Sequence, residues 1–352
     1  LVHPVSFRHG IEMPTQVYPF YDNAAQAAWG QTQGEALAES GAVWSAFSQA
    51  AANNPAAWLK KPLSAAQITT PSETNRLIAW PYTKAMVANP MVNQGAAVLL
   101  THLEHALALG IAEERLVYVL GGAAASEPRD YLARDQYQHS GAQDAVLGAA
   151  MQLAGGDARN FALIELYSCF PCVPKMARRT LKLAADAPMS VAGGLSFFGA
   201  PLNNYMTHAA AALVRGLRAQ REQLALLYGQ GEYVTKHHAL VLASHRPAAG
   251  TLNSDYSVQA QADAARGPVP TLLEHYEGEA VLETFTIVYD REGAPAYGAV
   301  IARTPAGARL MARVLPDDAE TIAALTDLSS TPVGHRGRVS ALDDGLLRWQ
   351  RI

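Results

Sequence analysis

Cysteine is nearly absent from this chain, two residues in 352, and charge is thin, with Asp, Glu, Lys and Arg making up 16%. The two thiols, Cys169 and Cys172, enclose only Phe170 and Pro171. That spacing gives no disulfide framework, and a zinc site would need a second ligand pair at similar spacing. A redox pair would need a thioredoxin-like surrounding. Neither is apparent, so no metal is expected. No run of about 20 apolar residues exists to cross a bilayer. The N-terminus also lacks the charged-then-apolar order of a signal peptide. These absences point to a cytoplasmic protein with no membrane partner. A net charge of −4 offers no general attraction to nucleic acid. What is plentiful is apolar: 49% of residues are hydrophobic, enough for a large core in more than one domain.

Residues 1–85 mix helical patterns with proline-marked turns, and Asn23 to Ala51 reads as one or two amphipathic helices. Trp58, Lys60 and Lys61 form a small basic and aromatic spot. From about residue 86 the pattern changes. Met91 to Leu100 reads as an apolar strand, a helix through Glu104 stops at Gly110, and Arg115 to Gly121 reads as a second strand. A helix from Gly141 to Ala154 and a strand from Asn160 to Leu166 follow, then a helix from Pro174 to Leu183 and a strand from Met189 to Ala192. Strands alternating with helices predict a layered α/β region over 86–245. Residues 246–269 read as a linker. Beyond 270, five short alternating runs up to Ile352 predict a small β-barrel of OB type, with no aromatic and basic stripe to mark it as a nucleic-acid binder.

The most unusual stretch runs from Gly193 to His208: Gly193-Gly194, Gly199-Ala200-Pro201, then Asn203-Asn204-Tyr205 and His208. It joins an expected strand to an Ala-rich helix. Glycines permit close backbone approach, Pro201 suits a first helical turn, and Asn203 or Asn204 is placed to cap it. Free N–H groups would then face an oxyanion or carbonyl. Tyr167-Ser168-Cys169-Phe170 lies at the C-terminal end of the strand through Leu166, where α/β folds place ligands. Leu224 to Tyr228 leads into Gly229-Gln230-Gly231, then Thr235-Lys236-His237 on a returning strand.

Taken together, these motifs resemble thiolases. Gly193, Gly194, Gly199 and Pro201 fit the thiolase segment GGxxxxGHP, with Ala200 in place of its histidine. Tyr167 to Phe170 is similar to the HDCF of the sterol-carrier-related branch. Asn203 to His208 and Thr235 to His237 resemble the NNYxTH and TKH of the type 1 thiolase-like proteins, which also carry an extra C-terminal barrel. The resemblance implies a helical loop region, a thiolase-like α/β domain and that barrel. It further implies coenzyme A or an acyl-CoA as ligand, a place in lipid metabolism, and a homodimer or a completing N-terminal segment as partner.

Thiolase chemistry needs a nucleophilic cysteine, its base, an acid/base for the α-carbon proton, and oxyanion donors. By resemblance the nucleophile belongs to an N-terminal half-domain with no counterpart before Leu1. The second cysteine is replaced by Leu227 or Tyr228. The remaining catalytic candidates are His208, Tyr167, Cys169, His237 and Tyr228, and the ligand-holding candidates are Gly199, Asn203, Asn204, Gly229 and Gly231. Classical thiolysis is not expected from this set. Two other readings are a carbon–carbon lyase acting on a hydroxyacyl-CoA, with Tyr167, Tyr205, Tyr228 and His208 as proton carriers, and a non-catalytic CoA-binding subunit.

Overall fold

The computed structural model describes residues 2–248 and 254–352. Its first part is helical: α1 Pro4–Arg8, α2 Pro14–Ala28, α3 Gln33–Asn53 and α4 Ala65–Thr69. The stretch Asn23 to Ala51, expected as one or two helices, spans the end of α2, which starts nine residues earlier, and most of α3. Thr32 starts α3 with a reciprocal cap: its hydroxyl accepts from the Glu35 N–H while the Glu35 carboxylate accepts from the Thr32 N–H. A short hairpin follows, β1 Leu77–Ala79 and β2 Tyr82–Thr83.

Met91 to Leu100 does not form the expected strand. It is irregular, and a short helix, α5 Leu103–Ala108, follows it and ends ahead of Gly110. The physical reason is a missing partner, since strands persist only when a neighbour takes up their backbone groups. The next elements are β3 Tyr118–Ser126, α6 Gly141–Leu153, β4 Phe161–Leu166, α7 Cys172–Thr180, α8 Tyr205–Ala219, β5 Leu224–Gly231 and β6 Lys236–Ala243. The four strands form one sheet in the order β3-β6-β5-β4, with β4 and β5 parallel and β6 antiparallel to its neighbours. Helix α6 packs on β3 and β6, while α8 packs on β4 and β5. The expected strand from Met189 to Ala192 is likewise irregular. It touches the sheet edge through the Leu166 N–H, which donates to the Met189 carbonyl at 2.8 Å.

Within the stretch expected as a linker, residues 249–253 lie outside the described residues, as does Leu1. The stretch also contains a helix, α9 Gln259–Ala265, whose Ala262 is fully buried. The last elements are β7 Leu272–Leu273, β8 Gly278–Tyr289, β9 Pro295–Arg303, β10 Arg309–Val314, α10 Ala319–Leu325, β11 Arg336–Ala341 and β12 Leu347–Arg351. Strands β8-β9-β10-β12-β11 close back on β8, giving a five-stranded barrel around Phe285, Val300, Leu310 and Trp349, and β1 pairs with β8 on its outside.

Barrel and α/β sheet are joined by buried charge. Arg309 is fully buried, donates to both Glu283 oxygens at 2.7 and 2.9 Å, and donates to the Leu132 carbonyl at 2.9 Å and to the Arg134 carbonyl. Its guanidinium lies 4.8 Å from the Tyr137 ring centroid. Burial alone would raise the Glu283 pKa, but bonds from Arg309 and Arg303 hold it below the usual carboxylate value. Arg309→Met, which strands part of that network, is expected to cost about 3–5 kcal/mol. Urea unfolding monitored by far-UV circular dichroism checks this, and an unchanged midpoint and slope would contradict the joint.

Candidate functional site

The Gly193 to Ala200 loop is built from the inside outward on one carboxylate. Glu165 on β4 is completely buried. It accepts from the Tyr205 hydroxyl at 2.6 Å, from the Ser190 hydroxyl at 3.0 and 3.1 Å, and from the Val191 and Ala192 N–H groups at 2.8 and 2.9 Å. The two hydroxyls in turn accept from the next amides, Ser190 from Gly193 at 2.8 Å and Tyr205 from Gly194 at 3.1 Å. Burial, the larger effect, leaves the Glu165 pKa raised although the bonds from Tyr205, Ala192, Ser190 and Val191 pull it down. A glutamate within an apolar strand was the signal for this hub, and sequence reasoning passed over it.

Gly193 and Gly199 are required here. Both have positive φ, +114° and +118°, and a Cβ would come within 2.5 Å of the Ala51 backbone at the first and 2.4 Å of Gln94 Oε1 at the second. Between them Gly194–Phe198 forms one wide helical turn. Its carbonyls are taken from outside: Leu195 accepts from the Asn89 N–H, Phe197 from Leu59, and Phe198 from Trp58 at 2.8 Å and from the Gln94 side chain at 2.9 Å.

Tyr167 and Tyr228 are brought together only through their backbones, and no open pocket among the described residues joins them to Gly199. The Tyr167 N–H donates to the Tyr228 carbonyl at 3.0 Å. The Tyr167 ring meets Tyr205 edge-on at 6.0 Å, Tyr205 meets Phe198 at 5.7 Å, and Phe198 lies 5.0 Å from the His208 ring. What converges is packed aromatic side chain. Ala200 is buried and its N–H donates to the Asn89 carbonyl at 2.8 Å. Of the two replacements for the thiolase cysteine, Leu227 is in register with Glu165 and shares its face toward α8. Neither Ala200 nor Leu227 can carry a proton.

His208, in the first turns of α8, is buried with Nε2 lacking a hydrogen-bond partner, and burial, then Arg215, lowers its pKa. Cys169 is also buried, against Tyr18, and burial raises its thiol pKa to about 12, far from a thiolate nucleophile. Burial likewise raises the Tyr167 pKa. Asn203 is exposed, while Asn204 stands at the start of α8 with its side chain making no capping bond. Gly229 faces Met206, and Gly231 adjoins Lys236.

Tyr228 and His237 stand apart from this group, on the α6 side of the sheet. Gln143 donates to the Tyr228 hydroxyl at 2.8 Å, and that hydroxyl meets His237 Nδ1 at 2.7 Å. His237 Nε2 faces the Val234 carbonyl at 3.1 Å and Ser140 Oγ at 3.2 Å, and Ser140 donates to Glu127 at 2.7 Å. The network assigns His237 as neutral with its proton on Nε2. Burial lowers its pKa to about 4. Sequence spacing could not separate the two faces, because Tyr228 and Leu227 are neighbours on one strand.

The large opening nearby is a groove of about 1090 Å³ beside the same loop, lined among others by Leu59, Lys61, Lys84, Val87, Ser196 and Phe197. None of the ten expected site residues lines it. Lys61 of the basic spot and two residues of the glycine loop do. Among the described residues no cluster of three or more His, Cys, Asp or Glu is placed to hold a metal ion. No described helix is long and apolar enough to cross a membrane.

This combination of α/β sheet, glycine loop and closed barrel has known counterparts. The monomeric SCP2-thiolase-like protein type 1 from Mycobacterium smegmatis superposes with a TM-score of 0.89 at 29% identity, over 100% of this chain and 75% of that one. The Ltp2–ChsH2(DUF35) aldolase is similar in fold, with a TM-score of 0.50 at 14% identity, over 68% of this chain and 66% of that one. No curated protein sequence matches the chain. The architecture is therefore thiolase-like. Residues 258–344 match the family model described as the thiolase-like protein type 1 additional C-terminal domain. The chain thus combines a thiolase-like fold with a C-terminal segment that matches the additional domain of the type 1 thiolase-like proteins.

The pKa of His237 has a consequence for stability. Its folded value, about 4, lies below the ordinary 6.5, so the unfolded chain binds the extra proton between those pH values. The stability contribution is complete above pH 6.5 and is lost as pH falls toward 4, by up to about 3 kcal/mol. His237→Gln should remove that part of the slope when urea unfolding is compared at several pH values. Parallel slopes for the two proteins would contradict the assignment.

Proposed function

We propose that this protein binds coenzyme A or an acyl-CoA thioester on an acyltransferase-derived thiolase-like frame, without carrying out thiolysis by the usual route. The observation that carries the binding reading is the groove beside Ser196 and Phe197. Its volume suits a ligand of this size, its walls are largely apolar, and Lys61 and Lys84 at its edge offer cations for phosphate groups. The reaction reading is limited by Ala200, by Leu227 and by the Cys169 thiol held at about 12. The barrel's strand order β8-β9-β10-β12-β11, with α10 between β10 and β11 along the chain, supports an OB-type reading of that domain. A place in cytoplasmic lipid metabolism is consistent with a CoA ligand.

A lyase reading has one observation in its favour: His208 lies near the loop, keeps Nε2 unpaired, and has its pKa lowered by burial. Tyr205 and Tyr228 are less suited to it, since Glu165 and His237 already engage their hydroxyls.

Calorimetric titration with CoA and with acetoacetyl-CoA should give saturable heat, and Lys61→Glu combined with Lys84→Glu should weaken binding by roughly tenfold or more. Acetoacetyl-CoA plus CoA should yield no acetyl-CoA above background. The absence of heat with every thioester would remove the binding reading, and rapid thiolysis would remove the limit placed on the reaction. Under the lyase reading, His208→Ala abolishes retro-aldol turnover of a β-hydroxyacyl-CoA and leaves CoA affinity nearly unchanged.

A further inference from the structure

A second hollow, of about 350 Å³, lies between the start of α6 and the end of α7 and is lined among others by Trp29, His139, Asp144, Arg179, Thr180 and Lys182. It shares no lining residue with the groove beside Ser196 and Phe197, and none of the ten expected site residues lines it. Its cations are not used up by the protein. Glu39 is one carboxylate serving two guanidiniums: Arg178 donates to it at 2.7 Å and Arg179 at 2.8 and 2.9 Å. One positive charge of that pair is left unbalanced. Arg179 lies 3.4 Å from the Trp29 ring centroid and keeps its Nε–H free among the described residues.

Asp144, the one acidic side chain on this lining among the described residues, is itself engaged. Its Oδ1 accepts from the Thr180 hydroxyl, and its Oδ2 lies 3.3 Å from His139 Nδ1. The bond to Asp144 raises the His139 pKa, which favours the imidazolium and leaves Nε2–H facing outward from the pair as a free donor.

Lys182 is the third cation, and the backbone sets it apart. The Lys182 N–H donates to the Arg179 carbonyl and the Leu183 N–H to the Arg178 carbonyl, both at 3.0 Å, closing α7 around a left-handed residue with φ +53°. After α1, α2, α5 and α6 the same position is glycine, at Gly10, Gly30, Gly110 and Gly155, with φ from +70° to +78°. Glycine suits such a turn, whereas the Cβ of any other residue crowds the backbone there. A side chain kept in that conformation points to a use for the side chain. The Lys182 ammonium is exposed and has no ion-pair partner among the described residues.

We infer that this hollow binds a phosphate monoester group, held by Lys182, by Arg179 Nε and by His139 Nε2, with the remainder of the ligand against Trp29 and Met176. A phosphate dianion offers three terminal oxygens to these three donors, where a carboxylate offers two. The volume admits a small metabolite. The inference does not rest on the CoA reading, because the groove of that reading is a separate one.

The test follows the imidazole resonances of histidine-labelled protein by NMR, with His139 assigned through His139→Gln, while inorganic phosphate, glycerol phosphate or acetate is added at constant pH and ionic strength. Both phosphates should move the His139 signals saturably, and acetate should move them no further than chloride does. Lys182→Gly should weaken phosphate binding roughly fivefold while leaving the melting temperature equal or higher, since glycine fits the left-handed turn. CoA, whose 3′-phosphate has the same chemistry, is a separate arm. A His139 response to CoA that is lost with dephospho-CoA assigns the phosphate to CoA, and no response assigns it to a free phosphomonoester; both keep the site. Three results would overturn the inference: no saturable response to either phosphate, acetate as effective as phosphate, or unchanged phosphate affinity in Lys182→Gly.

Discussion

The structure around the glycine loop depends on a carboxylate sealed inside the sheet. Glu165 has no water to solvate it, so every acceptor site must be met by protein, and the side chains and amides that meet it are drawn from Ser190 to Ala192 and from Tyr205. Losing a donor to a buried charge costs about 1.5–3 kcal/mol, which makes each of these bonds a strong restraint. Because Ser190 and Tyr205 pass the restraint on to Gly193 and Gly194, one side chain fixes five consecutive residues and the start of α8.

This restraint explains how a thiolase-like frame persists where the thiolase proton carriers are gone. The loop and helix are held by polar bonds beneath them, independent of the residue at position 200. Ala200 and Leu227 carry no proton, and Tyr205 packs between Tyr167 and Phe198 beside them. Tyr18 stacks on Phe170 at 4.3 Å from the helical side. The polar capacity of Tyr228 and His237 was likewise absorbed into a satisfied network on the opposite face of the sheet. What stays open lies to one side, where the loop's Ser196 and Phe197 meet Lys61 and Lys84.

Much of this was legible in the sequence because it rests on local pattern. Gly141 to Ala154, Leu224 to Tyr228 and the barrel strands appear close to where periodicity put them, since each has an apolar face and a partner to bury it. The thiolase-like motif order was legible through a different route, the resemblance of Gly193 to Pro201 and Asn203 to His208 to known motifs. Met91 to Leu100 failed as a strand because pairing is a property of two segments, and sequence pattern reports only one. Met189 to Ala192 failed because its amides turn to Glu165 rather than to a neighbouring strand. In the site, the backbone adjacency of residues 167 and 228 followed from neighbouring parallel strands. Whether a hydroxyl is free or already engaged, as with Tyr205 and Tyr228, depends on long-range contacts that spacing cannot give.

The most direct test of the central restraint is amide exchange at Gly193 and Gly194 in Glu165→Gln. The amide that replaces one oxygen presents a donor to groups that are themselves donors, so Ser190 and Tyr205 lose their anchor. The account predicts at least about tenfold faster exchange at both glycines, with amides in the barrel unchanged. Exchange at Gly193 and Gly194 equal to that of the unaltered protein would contradict it.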